Sequence, residues 1–240
     1  MESLILAIVA FVGSHFILSH PLRQPLLQAL GRRGFQGVYS LIAGVTLIWV
    51  ILAYSKAPVV FLWNPPAFFH LLTNILMLAA LVLFLGSLVQ PNPLLIGSAR
   101  PHGEAALGPD PAAGSAGAGR VAGVVAITRH PMMWGIGLWA ISHALVNGDA
   151  ATLFLCLGIG TLALVGAALQ DRRKAAEFGA SWQSFAEATA FTPFAAQFRG
   201  RLPWRTVWPG WLVIVGGASL YVILLYFHEV LFGVSALLAR

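Results

Sequence analysis

Six long apolar runs organise this chain, at about 3–19, 36–54, 67–89, 121–146, 151–169 and 209–232. Each is long enough to cross roughly 30 Å of hydrocarbon at about 1.5 Å per residue. The fourth is interrupted by Thr128-Arg129-His130-Pro131, which confines its spanning part to about 132–147. Between the runs, two polar stretches differ in character. Residues 98–120 are rich in Gly, Ala and Pro without an apolar period, which predicts a flexible cytoplasmic linker. In residues 171–190, Phe178, Trp182, Phe185 and roughly Ala175 recur at three- and four-residue spacing, with charges opposite. That pattern predicts an amphipathic helix at the cytoplasmic interface, ended by Phe191-Thr192-Pro193-Phe194. The expected fold is all-α: a single membrane domain over 1–240, with about six transmembrane helices, the interfacial helix and the 98–120 linker. No internal repeat of the transporter kind is visible.

Composition strengthens this picture. Of the 240 residues, 58% are hydrophobic and 9% are charged, whereas a soluble domain carries about 25% charged residues. The net charge of +6 comes from basic residues that fall between the runs. With the N-terminus outside, the loops at 20–35, 90–131 and 170–208 are cytoplasmic. They hold Arg23, Arg32, Arg33, Arg100, Arg120, Arg129, Arg172, Arg173, Lys174, Arg199, Arg201 and Arg205, leaving Lys56 and Arg240 outside. The positive-inside rule selects this orientation. The expected partner is the lipid bilayer. No basic helix or aromatic RNA-type motif accompanies the charge, so nucleic-acid binding is set aside. Glu2 follows Met1 directly, and neither a basic leader nor a small-residue cleavage site is present, so the first run reads as a retained helix. The single cysteine, Cys156, lies inside an apolar run. It reads as a packing residue and excludes a cysteine-based metal site.

Ionisable groups inside membrane helices are costly, and each is a candidate for function. Here those groups are histidines. His15, His143 and His228 lie inside runs, His70 starts one, His20 and His130 stand at run ends, and His102 is in the linker. Neutral imidazole ligates iron, and two histidines on different helices can clamp a haem. A membrane histidine also serves simply to hydrogen-bond a neighbouring helix. Spacing alone selects no pair among the seven. Two segments gather polar groups: Gly13-Ser14-His15 with Pro21-Leu22-Arg23, and Thr128-Arg129-His130-Pro131 with Gly135 and Ser142-His143. Arg129 and His130 could hold an anionic group such as a phosphate or a propionate. Equally, Thr128 or Arg129 before Pro131 suits the start of a helix.

The stretch from Ile127-Thr128-Arg129-His130-Pro131 through Trp139 to His143 continues into Asp171-Arg172-Arg173, Phe178-Gly179, Thr192-Pro193-Phe194-Ala195-Ala196 and Arg199-Gly200-Arg201. With Ser14-His15, Leu22-Arg23 and Tyr39-Ser40, it resembles the NnrU family of bacterial membrane proteins, whose fold family includes the plant 15-cis-zeta-carotene isomerase. The resemblance implies a multi-pass protein of the bacterial inner membrane, a haem b held by His15 and His143 as iron ligands, and a lipophilic or small nitrogenous substrate. Arg23, Arg129 and His130 are expected to contribute to cofactor binding. His143 stands toward the outer side and His15 toward the cytoplasm, so His130 is the substitute second ligand on grounds of depth. The implied activity is a redox-dependent isomerisation or a role beside denitrification. A further family histidine falls on Leu162, a departure that bears on isomerase activity more than on the haem.

Two other readings stand beside it. An Arg-His-Pro segment, a span and an amphipathic helix are similar to isoprenylcysteine and phospholipid methyltransferases, which bind S-adenosylmethionine. Asp171-Arg172-Arg173 stands where paired glutamates would be expected. That reading places function at Arg129, His130 and Asp171, whereas the haem reading places it at His15 and His143. The last reading is a non-catalytic assembly or sensory membrane protein.

Overall fold

The computed structural model describes residues 1–90 and 121–236. The expected 98–120 linker, with Arg100, His102 and Arg120, and the terminal Arg240 lie outside the described residues. The described chain is helical: α1 (Glu2–Ser19), α2 (Arg23–Ser55), α3 (Ala67–Val89), α4 (Val124–Ile127), α5 (Pro131–Asn147), α6 (Ala150–Phe178), α7 (Ala180–Ala188), α8 (Ala195–Phe198), a 3-10 turn at Trp204–Val207, and α9 (Trp211–Phe232). No strand occurs among the described residues; one isolated bridge pairs Phe61 with Asp149.

Five of these helices, α1, α2, α3, α6 and α9, are long and apolar enough to cross a membrane. Their outward faces carry Leu41, Ile48, Ile75 and Val230, all exposed. Large apolar side chains on the outside of long helices have a solvent that suits them only in lipid. The protein is a multi-pass helical membrane protein. The run expected at 132–147 forms α5, whose 17 residues measure about 25 Å.

Two boundaries differ from the pattern-based expectation. Helix α2 starts at Arg23 rather than 36, because the polar stretch before the span is also helical; Gly31, at φ +66, kinks it where the two parts join. The amphipathic stretch at 171–190 is two helices, not one. The polar end of α6 runs to Phe178, Gly179 turns the chain at φ +54, and α7 follows. Trp182 and Phe185 are buried as their spacing predicts, but against protein: Leu83, Val124, Val125, Ile127 and Val213 complete their cluster.

The chain forms two compact units. The first comprises Met1–Thr73 and Ala140–Gly166. There Leu4, Ala7 and Phe11 of α1 pack on Val50 and Ala53 of α2 and Ala151 of α6. The hydroxyls of Tyr54 and Thr152 share a hydrogen bond of 2.8 Å, which satisfies both inside an apolar setting. The second comprises Asn74–Trp139 and Ala167–Arg240. Its core is the Trp182 cluster, together with a layer in which Ala126, Ala190 and Ala196 pack around Leu202. Gly86 lets α3 approach the rest of this unit closely: a Cβ there would strike Val124 and stand 3.1 Å from Val213 Cγ1. Small residues at such crossings are the usual means of close helix packing in a bilayer.

Candidate functional site

The second unit holds the densest polar constellation. Pro131 starts α5, as its missing N–H and fixed φ favour. The extended Thr128 just before it directs Arg129 and His130 toward Asp171. Arg129 donates through Nε at 2.8 Å and Nη2 at 2.5 Å to Oδ2 of Asp171. His130 donates through Nε2 to Oδ1 at 2.6 Å. The His130 side chain is 1% exposed, those of Arg129 and Asp171 14% and 16%. Asp171 lies beyond the apolar run 151–169, in the polar end of α6. Burial pushes its carboxyl up, but the hydrogen bonds and charges of His130 and Arg129 prevail and hold it below its ordinary value.

The surrounding backbone is laced to the segment after α7. Arg129 N–H donates to the Ala190 carbonyl at 2.9 Å, and Phe194 N–H to the Ile127 carbonyl at 2.8 Å. The Phe191 carbonyl accepts twice, from Thr128 Oγ1 at 2.6 Å and Trp134 Nε1 at 2.8 Å. The Phe191 ring packs on His130, with Arg129 also over it. Phe194 holds the left-handed conformation at φ 62, a strained state for a non-glycine residue that its bond to Ile127 helps to fix. The carboxylate that Arg129 and His130 face is one of the chain's own side chains. Their donors close a partly buried ion-pair lock that ties the start of α5 to the polar end of α6.

The other candidates, His15, His143 and Arg23, belong to the first unit. His15 Nδ1 lies 2.7 Å from the Phe11 carbonyl, which can only accept, so Nδ1 carries the proton. Nε2 then presents its lone pair, the state an iron ligand needs, with the ring oriented by the backbone behind it. Phe11 and Tyr39 flank the imidazole at centroid distances of 4.4 and 5.4 Å. Ser19 Oγ donates to the Tyr39 hydroxyl at 3.4 Å. Arg23 caps the Phe35 ring at 5.4 Å, and Phe35 adjoins Tyr39. His143 Nδ1 lies 3.3 Å from Ser142 Oγ.

Packing sets the levels of the two histidines. On α1, Ile8 meets Gly158 and Phe16 meets Gly166, so α1 and α6 run parallel; Ala140 of α5 meets Gly160, antiparallel. This register places His15 level with residue 165 and His143 level with residue 157, an offset of about 12 Å along the helices. Imidazole is a haem donor and both rings lie in one unit, but a level difference of about 12 Å along the helices exceeds what two nitrogens on one iron span. Among the described residues no group of three or more His, Cys, Asp or Glu could hold a metal ion. An apolar cleft of about 410 Å³ opens between α1 and α6, lined by Val9, Val12, Gly13, Phe154, Leu157 and Gly158 among others; His15 does not line it.

The sequence profile of the NnrU protein family matches residues 3–236. The chain belongs to the NnrU family. Two curated relatives are similar over part of it. The 15-cis-zeta-carotene isomerase of Arabidopsis thaliana chloroplasts is 39% identical over 79 residues, and that of Zea mays is 34% identical over 79 residues. In each case the match covers 33% of this chain and 22% of the relative, so this NnrU chain matches about a fifth of their length. No solved structure matches it.

The sequence grouped Arg129, His130 and Asp171 as one alternative site but did not show the ion pair they make. The available signal was Asp171: a lone acid just past an apolar run needs a cation nearby, and Arg129-His130 precede the neighbouring span. The twofold use of the Phe191 carbonyl had no signal, because a backbone acceptor leaves none in the side-chain pattern.

Proposed function

We propose that this NnrU protein is a membrane isomerase acting on a lipophilic polyene, and that it binds haem b through His15 and His143. Family membership and the names of the two isomerase relatives support the reaction class. The observation that carries the cofactor is His15: an imidazole on a membrane helix, its Nδ1–H fixed on the Phe11 carbonyl and its Nε2 lone pair presented between aromatic rings. When bound, haem supplies a one-electron centre inside the bilayer. The chain's own contributions are distinct. Phe11 orients His15, Tyr39 walls the ring, and the cleft between α1 and α6 offers an apolar bed for a long hydrocarbon. Isomerisation about a double bond adds and removes no atoms, so a dry apolar site needs no proton relay. A role beside denitrification would use the same two imidazoles.

This reading is favoured over methyl transfer because Arg129 and His130, which would serve S-adenosylmethionine, already face the carboxylate of Asp171. The test is the visible spectrum of the purified protein, oxidised and dithionite-reduced, after expression with a haem precursor. A Soret band with sharp bands on reduction, lost in both His15→Ala and His143→Ala, is expected. Retention in His143→Ala and loss in His130→Ala would move the second ligand; no bound haem at all would overturn the cofactor. Conversion of 15-cis-zeta-carotene by the haem-loaded protein, followed by chromatography, tests the reaction separately.

A further inference from the structure

Residues 198–212 (FRGRLPWRTVWPGWL) interleave Phe198, Trp204, Trp208 and Trp211 with Arg199, Arg201 and Arg205. No acid occurs between Glu187 and Glu229. Two glycines at positive φ, Gly200 and Gly210, bracket the segment and turn it back on itself. The aromatic rings are not drawn into the core. Phe198 is 78% exposed, Trp211 71%, and Trp204 and Trp208 are about half exposed. They pack instead on one another, Phe198 on Trp204 at 5.2 Å and Trp208 on Trp211 at 5.1 Å. Four large rings facing water would be an unusual apolar patch. Trp211 is also the first residue of α9, a helix long and apolar enough to cross the membrane, and tryptophan at the end of such a helix suits the headgroup level.

The three arginines are exposed. Arg201 donates from Nη1 to the Glu187 carbonyl at 2.6 Å. No ion pair or hydrogen bond to the Arg199 or Arg205 side chain is found among the described residues. Two guanidinium groups thus lie without a counter-charge among the described residues, in the same segment as these indoles. Tryptophan alone suits any lipid interface, whereas guanidinium matches the paired oxygens of a phosphate and favours a surface of net negative charge.

We propose that residues 198–211 form a binding surface for anionic phospholipid, with Arg199 and Arg205 engaging headgroup phosphates and the Trp204, Trp208 and Trp211 rings seated in the boundary below them. The zwitterionic lipids of the same bilayer meet the rings only. The surface is separate from the proposed haem ligands and from the Asp171 lock, and it sets lipid preference rather than catalysis.

The test is native mass spectrometry of the full chain released from detergent, titrated with phosphatidylglycerol or phosphatidylcholine of the same acyl composition. The intact protein is expected to retain phosphatidylglycerol preferentially. Because each arginine near an anionic surface strengthens binding about fivefold, Arg199→Gln with Arg205→Gln should weaken that retention by up to about 25-fold. Phosphatidylcholine binding should stay unchanged. Arg199→Lys with Arg205→Lys keeps the charge and should keep most of the preference. Inorganic phosphate at equal concentration should not displace the lipid. Equal retention of the two lipids by the intact protein, or an unchanged preference in the double Gln variant, would overturn the proposal. So would a dimer that dissociates in that variant, which would assign the surface to a second copy. Should the Gln variant not fold, the intact protein decides: its preference must fall as salt rises from 0.05 to about 0.5 M, since the exposed charges are then screened.

Discussion

Replacing Asp171 by alanine removes the one acceptor shared by Arg129 and His130. Breaking a buried pair by deleting one partner costs about 3–5 kcal/mol, because the charge left behind has neither partner nor water. Here the Arg129 side chain keeps 14% of its surface exposed, so water recovers part of that loss, while the 1% exposed His130 recovers almost none. The net destabilisation works out at about 2–3 kcal/mol. For a chain of this length, each kcal/mol lowers the melting temperature by about 2–4 °C, so the expected fall is about 5–10 °C. The assay is intrinsic fluorescence of the purified protein in one detergent at a fixed heating rate. Asp171→Asn should fall about half as far, since its amide oxygen still accepts from one donor while its NH2 faces another. The decisive comparison is the double variant Arg129→Ala with Asp171→Ala. If the two side chains act as one lock, its loss is smaller than the sum of the single losses by about 1–2 kcal/mol. A fall below 2 °C in Asp171→Ala, or strict additivity in the double variant, would refute the lock and return Arg129 and His130 to the pool of ligand-binding donors.

Three further outcomes test the packing around these sites. Gly86→Ala should cost about 1–3 kcal/mol, read as a lower melting temperature and poorer yield, because the added methyl collides with Val124 in a filled core; an unchanged melting temperature would mean that α3 can back away. Thr128→Val should cost about 1–3 kcal/mol: the Phe191 carbonyl keeps its bond from Trp134, but the buried His130 N–H loses the hydroxyl that accepts it at 3.3 Å; an unchanged melting temperature would show that neither bond of the hydroxyl matters. Gly179→Ala meets open space but must adopt φ near +54 with ψ near −124, a region sparsely populated by non-glycine residues, so backbone strain alone should cost about 1–3 kcal/mol, measured in the same thermal assay; a gain in stability would show that α6 and α7 prefer to fuse.

How far the pattern of residues reached depends on what each feature asks of the chain. The spans were legible because lipid demands unbroken apolar length, and α1, α3, α6 and α9 begin within two residues of the expected positions. Polar segments carry no such demand. Residues 23–35 gave no apolar period, yet they extend α2, because a helix satisfies their backbone where only a glycine kink is needed. The burial of Trp182 and Phe185 followed from their spacing, but spacing cannot say whether lipid or protein covers a face. Their partners, Val124 and Val213, are far away in sequence.

The same limit governs the candidate residues, and it separates the two histidine groups. Sequence placed His130 and His143 thirteen residues apart around one span and left either free to pair with His15. Structure distinguishes them by what their nitrogens already do. His130 spends Nε2 on Asp171 inside a closed lock, which leaves only Nδ1 for a ligand, on a side chain that is 1% exposed. His15 spends only Nδ1, on a carbonyl of its own helix, an arrangement that costs nothing to keep when Nε2 takes a ligand. His143 also has its Nδ1 beside a neighbouring hydroxyl, and it belongs to the same unit as His15. On these grounds the pair to test remains His15 with His143, although His130 was the better match by depth. The 12 Å difference in level makes His143 the more informative of the two substitutions: loss of the spectrum there would establish that the helices bring both imidazoles to one iron.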